Sequence, residues 1–229
     1  MEYQLIKSKR KSIAISFDRD GNLIVKAPYF VRNRDIDAFV RSKEDWIEAT
    51  AIRLKREREK KERERLKLES GDILPLLGNQ LLLSVIREDR SRAKITCVRE
   101  RLLMYVPYDA DYEYRQNTLE KWYRKEALAI ISKKAAYYAE MLGVRYEDIH
   151  IKDQKSRWGS CSGKGNLNFN WRLIMAPEQV LDYVVIHELC HLRHMDHSRE
   201  FWELVESICP FYKQLKKWLK EHGESLYFI

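Results

Sequence analysis

The 229-residue sequence lacks several features that would settle its class at once. No stretch approaches the roughly eighteen consecutive apolar residues of a membrane span, and the opening MEYQLIKSKRKSIAI has no apolar block of a secretory signal. Both absences point to the cytoplasm and away from a membrane. Cysteine is scarce: Cys97, Cys161, Cys190 and Cys209 form no CxxC pair, so neither a disulfide framework nor a zinc knuckle is indicated, and the four read mostly as small buried hydrophobes. Internal repeats and low-complexity linkers are absent as well. What is present is 45% hydrophobic and 34% charged residues, a balance that supports a folded core without a metal to hold it together.

A net charge of +8 points to anionic partners, whether nucleic acid, nucleotides or acidic peptides. The densest charge lies in RLKREREKKERERLKLE. Its glutamates stand three or four residues from lysines or arginines, as in a solvated helix carrying its own ion pairs; a nucleic-acid arm is the competing reading.

Ahead of that run, YQLIKS, SIAISF and NLIVKA show partial alternation, with a turn signal at Asp20-Gly21-Asn22, and predict a small antiparallel meander. Ile36, Phe39, Val40, Trp46 and Ile47 then predict one long helix over about 34–69, stopped near Ser70-Gly71-Asp72. LPLLGNQLLLSVIRE, AKITCVRE and RLLMYVP read as further strands, with a turn at Gly78-Asn79. From Asp111 to Gly143 the spacing is helical, and the change in pattern places a domain boundary near residue 110. Residues 149–171 suggest short strands joined by tight turns, followed by a helix from Pro177 and two more, SREFWELVESI and YKQLKKWLKEHG.

The chemistry concentrates in HELCHLRHMDH. His187 and His191 are four apart on a helix flanked by Leu181, Val184, Val185, Leu189 and Leu192, so both imidazoles leave one face a turn apart and can reach one tetrahedral zinc ion. Glu188 is then placed as general base for an activated water. A third ligand is required. His197 follows the expected helix end near Met195 and Asp196, and the spacing matches the zincin pattern HExxHxxGxxH with His194 where that pattern has glycine. Helix geometry favours His197 over His194, with Glu200, Glu203 or Glu206 as carboxylate alternatives. Tyr183, one turn before His187, reads either as an oxyanion donor or as a core tyrosine. Arg157 and Trp158 in SRWGSCS and Asn168 in GNLNFN are candidate substrate contacts, with no ligand spacing of their own, and Cys161 reads as a structural thiol.

SRWGSCSGKGNLNFNWRLIMAP followed by LDYVVIHELCHLRHMDHSREFW resembles the YgjP-like metallopeptidase family of the zincins, which is distantly similar to the SprT and WSS groups. KSKRKSIAI, DGNLIVKAP and WYRKEA extend the likeness through most of the chain. The resemblance implies zinc on His187, His191 and His197, Glu188 as base, and the RWGSCS and GNLNFN segments as strands beside the cleft, where an edge strand pairs with an extended peptide. Asp196 departs from the asparagine usual in the family.

The expected fold is therefore α+β: a strand-rich domain with a long charged helix over 1–110, and a zincin-like helical catalytic domain with a small antiparallel sheet over 111–229. The expected activity is zinc-dependent hydrolysis, most simply of a peptide or protein. Lys152, Lys155, Arg157, Lys164 and Arg172 leave open an alternative nucleotide phosphohydrolase, and the charged helix leaves open a nucleic-acid-associated protease or binding module.

Overall fold

Alternation sets the first sheet. In β3 (Leu23–Pro28) every second side chain, Leu23, Val25 and Ala27, is buried against Ile36, Val40 and Ile47. The structure, a computed structural model, describes residues 2–18, 21–64 and 66–228, and of residues 57–64 the backbone alone. The chain divides into two compact units, Met1–Arg65 and Leu66–Ile229.

In the first unit the strands β1 (Gln4–Ser8), β2 (Ala14–Phe17) and β3 take the order β1-β3-β2, with β1 parallel and β2 antiparallel to β3. This replaces the expected meander. The most fully buried strand occupies the centre, so β1 pairs with β3 and not with its sequence neighbour. Of the expected turn, Asp20 lies outside the described residues. The single long helix is instead two, α1 (Asn33–Arg41) and α2 (Glu44–Glu64). They break at Ser42, whose hydroxyl donates to the Phe39 carbonyl at 2.7 Å and so satisfies one of the carbonyls that a helix end exposes. The expected ion pairs of the charged half fall largely on side chains outside the described residues.

The second unit starts where the helix was expected to continue. Leu68 has φ 54 and is fully buried, and its carbonyl accepts from Arg115 Nε at 2.9 Å, which pins this segment in a non-helical conformation. The strands β4 (Ile73–Leu76), β5 (Asn79–Arg87), β6 (Lys94–Val98) and β7 (Arg101–Val106) form a sheet of order β4-β5-β7-β6, with β5 and β7 parallel. The β4–β5 turn is centred on Leu77 and Gly78, both with positive φ, one residue ahead of the expected pair.

Helix α3 (Tyr112–Leu142) is capped as its sequence indicates. The Asp111 side chain accepts from the Tyr114 N–H, and Gly143 closes it at φ 61. Its buried stripe of Leu119, Tyr123, Ala127, Ile131 and Ala135 packs in one core with Leu74, Leu83, Leu102 and Met104 of the sheet. The compact division accordingly falls at 65/66, not near 110. The change from strand to helix that marks residue 110 lies inside one shared core.

After α3 come β8 (Ile149–Lys152), β9 (Gly159–Cys161) and β10 (Leu167–Asn170), in the order β8-β10-β9. β10 is parallel to β8 and antiparallel to β9, so the sheet is mixed and not antiparallel throughout. A 3₁₀ turn, Trp171–Met175, leads to α4 (Glu178–Cys190), then α5 (Arg199–Ile208) and α6 (Tyr212–His222). Lys134 of α3 bridges Glu178 and Asp182 at 2.7 and 2.6 Å and clamps α4 onto α3. All four cysteines are free: Cys190 and Cys209 are buried, Cys161 is half-buried, and Cys97 is exposed, contrary to the expectation for small hydrophobes. Among the described residues no helix is long and apolar enough to cross a membrane.

Candidate metal centre

Helix α4 is buried almost all round, with Val180, Leu181, Val184, Val185, Ile186 and Leu189 in the core, so its direction is fixed. It ends at Cys190, earlier than the expected 195, with His191 as C-cap at φ −63 and ψ −18. His191 thus keeps helical geometry and its one-turn relation to His187, and the chain is free to reverse. The Arg193 and His194 N–H groups donate to the Cys190 carbonyl, both at 3.0 Å, and the Arg193 guanidinium donates to the Leu142 carbonyl at the end of α3. Ser198 then starts α5, its side chain accepting from the Phe201 N–H. This reversal returns His197 to His187.

Ligand atoms of His187, His191 and His197 lie within 4.8 Å of one another. His187 Nε2 and His197 Nε2 are 3.2 Å apart. That is close to the roughly 3.3 Å edge of a tetrahedron of nitrogens about 2.0–2.1 Å from one ion. His191 Nδ1 donates to the His194 carbonyl at 3.0 Å, which fixes the tautomer and leaves Nε2 as an electron-pair donor. His194 contributes this carbonyl, not its ring. Burial, reinforced by the other two imidazoles and Lys216, holds His187 down to about 3, so it is neutral at physiological pH. Burial also lowers His191. Neutral imidazoles whose lone pairs converge are the donor set a divalent metal requires.

Packing supports the cluster. Phe201 is fully buried, with its ring 4.5 Å from His191 and 4.9 Å from both His187 and His197, measured between centroids. Trp202 stacks on His197 at 5.5 Å. His187 Nδ1 is buried with no hydrogen-bond partner among the described residues, so these rings orient that imidazole by contact. Neither aromatic was singled out from the sequence, although Phe201 and Trp202 stand three and four residues after the α5 cap at Ser198. Glu200, Glu203 and Glu206 are absent from the cluster, and Glu203 pairs with Arg199.

Glu188 is 5% exposed, and burial pushes its carboxyl up to about 8 against the pull of Arg157 and of the Cys161 backbone N–H, which donates to it. β9 lies against this side chain. A Cβ built on Gly159 would stand 2.5 Å from Glu188 Oε1 and 2.7 Å from its Cγ. Only a hydrogen at that position leaves room. The SRWGSCS motif therefore carries a role that no ligand spacing signals: its glycine seats the carboxylate and its Cys161 amide holds it.

The other candidates separate. Trp158, Tyr183 and Gly159 line a cleft with His187 and Glu188. Arg157 is exposed and acts on Glu188 through its charge. The Tyr183 hydroxyl is raised first by burial and then by the Glu188 charge, and the ring stacks on Tyr212 at 6.5 Å. Asn168 is committed within the sheet, its amide donating to Ser160 Oγ at 3.3 Å. The GNLNFN strand is central and paired on both sides, so it has no free edge for a peptide; the edge beside α4 is β9. The basic cluster also disperses, because Arg172 is buried against Asp153 while Lys152, Lys155 and Lys164 are exposed.

An HExxH helix that brings neutral imidazoles together beside a buried carboxylate defines a metallohydrolase. The chain belongs to the YgjP-like family, whose metallopeptidase domain model matches residues 11–222. No curated protein matches this chain. Among solved structures, the metallopeptidase zymogen abylysin of Pyrococcus abyssi is 23% identical, covering 40% of this chain and 93% of its own at a TM-score of 0.37. The metallopeptidase zymogen jannalysin of Methanocaldococcus jannaschii is 23% identical, covering 34% and 79% at a TM-score of 0.31.

Proposed function

We propose that this protein is a zinc metallopeptidase in which His187, His191 and His197 hold the metal and Glu188 moves the proton. The observation that carries this reading is the 3.2 Å approach of His187 Nε2 to His197 Nε2 beside a buried glutamate on the same helix. A zinc ion on these nitrogens supplies Lewis acidity for the scissile carbonyl and eases ionisation of the attacking water near neutral pH.

Glu188 faces the cleft and takes a proton from the attacking water. The same carboxyl returns that proton to the departing amide nitrogen, so the peptide bond is exchanged for a carboxylic acid and an amine. Burial gives it the proton affinity this double duty needs, while the Cys161 N–H and Arg157 restrain that affinity and fix the carboxylate. His191, whose Nδ1 is held by the His194 carbonyl, would keep its Nε2 available to hold the metal.

Glu188→Gln tests the assignment. The variant is expected to retain one zinc per chain and to lose cleavage of a peptide library by roughly 100-fold or more. Cleavage at the original rate with zinc bound rules Glu188 out as the base.

A further inference from the structure

The cleft lined by His187, Glu188 and Gly159 has a volume of about 340 Å³, and its far wall is made by Trp158, Tyr183, Val184 and Leu219 together with Lys216 and Lys220 of α6. That volume is at the small end for ligand sites, and since it includes the space beside His187 and Glu188 it leaves room at the lysine end for little more than one side chain. Its charge is unusual. Lys216 and Lys220 are four residues apart on one helix face, both line the pocket, and neither makes a salt bridge among the described residues. The lysines directed elsewhere on this helix are paired, Lys213 with Glu206 and Lys217 with Glu221, each at 3.7 Å. The Lys216 ammonium lies 4.5 Å from the Trp202 ring centroid, which holds it near the metal cluster, and its charge is felt at His187.

We propose that this pocket selects an acidic residue of the substrate flanking the scissile bond, its carboxylate received by Lys216 and Lys220. The inference rests on the peptidase reading and names the class of peptide cleaved. The apolar walls cover the methylene stem of a glutamate or aspartate, and two ammonium groups that no carboxylate among the described residues holds meet one carboxylate. A nucleoside triphosphate offers the same sign of charge but fits less well. Lys220 lies in the last turn of α6, where exposed carbonyls and the helix dipole oppose several negative charges, and the Glu188 carboxyl forms part of the same wall.

The test uses zinc-loaded full-length Glu188→Gln protein and pairs of capped peptides differing only by Glu or Gln at one scanned position. At one position the Glu peptide is expected to bind roughly tenfold tighter. Adding Lys216→Ala and Lys220→Ala should bring the ratio near one, and Lys216→Glu with Lys220→Glu should invert it towards Lys-containing peptides. No preference for Glu, or a preference indifferent to these lysines, overturns the proposal. So does a nucleoside triphosphate that binds through the same lysines more tightly than any Glu peptide.

Cleavage by the protein with Glu188 intact is read separately. Discrimination without cleavage by that protein defeats the peptidase reading and leaves the carboxylate pocket standing. Cleavage without discrimination does the reverse.

Discussion

Glu188 lies over the α-carbon of Gly159, so close that any side chain at 159 would collide with its carboxylate. A glycine on the edge strand thereby sets the position of a carboxyl on the helix opposite, and β9 is coupled to α4 through this contact.

Gly159→Ala is therefore expected to act on the base and spare the ligands. Gly159 has no positive φ, so alanine meets no backbone strain and the whole effect is the collision with Glu188. Overpacking of this kind costs about 1–3 kcal/mol. Moving the carboxyl by about 1 Å should lower kcat roughly 100-fold. Zinc affinity measured by calorimetry should stay within about threefold of the original, on the order of 0.6 kcal/mol. A fall in zinc affinity that parallels the fall in kcat would show that the collision reaches the imidazoles.

The histidines separate by atom. His197→Ala removes a ring nitrogen from the cluster and is expected to weaken zinc binding by at least about 100-fold, whereas His194→Ala keeps the backbone carbonyl that holds His191 and should cost less than about tenfold. Competition with a chelating dye measures both. Equal losses would mean that His194 serves through its ring.

The contrast also shows what the sequence could tell. The meeting of His187, His191 and His197 was legible because a four-residue helical spacing followed by a reversal leaves a pattern. So were the caps of α3 at Asp111 and Gly143, since each follows from local chemistry. Gly159 and Phe201 left no such mark, for their roles depend on which elements meet in space. Strand order was hidden for the same reason: nothing local to YQLIKS shows that it pairs parallel with β3. The break at Ser42 and the non-helical Leu68 went unread because apolar and charged periodicity runs through both: the Ser42 bond to Phe39 is one a serine also makes inside a continuous helix, and the Leu68 carbonyl is held by Arg115 from far along the chain.

Stability of the metal-free protein should depend on pH in two opposed ways. His187 is held down to about 3 by burial, so between pH 3 and its ordinary 6.5 the unfolded chain binds more protons and stability rises with pH. Glu188 is pushed up to about 8 from 4.5, so between these values the native state binds more protons and stability falls as pH rises. The Glu188 contribution is present in full below 4.5 and lost through 8, a span worth roughly 3–5 kcal/mol. Glu188→Gln removes this second slope and leaves the first. Urea titrations of both proteins from pH 5 to 9 should give curves that diverge up to about pH 8 and run parallel above it, and curves parallel throughout would place the carboxyl in contact with water.

Residues 66–229 should fold and bind zinc without the first unit. Every member of the cluster and every residue that supports it lies in this range, and its core draws on β4 to β7 as much as on the helices behind them. A cut at 110 is a different matter. It would strip Leu74, Leu83, Leu102 and Met104 from α3 and expose the stripe around Tyr123, whose hydroxyl donates to the Pro75 carbonyl at 2.8 Å. Each large side chain removed from a core costs about 2–5 kcal/mol, so losing four exceeds the whole stability of an ordinary domain. The 66–229 fragment should show one cooperative unfolding transition, raised by added zinc because the metal binds the folded state alone. The 111–229 fragment should show none. A cooperative 111–229 fragment that binds zinc would move the boundary back to residue 110 and reduce the β4–β7 sheet to an accessory of the catalytic helices.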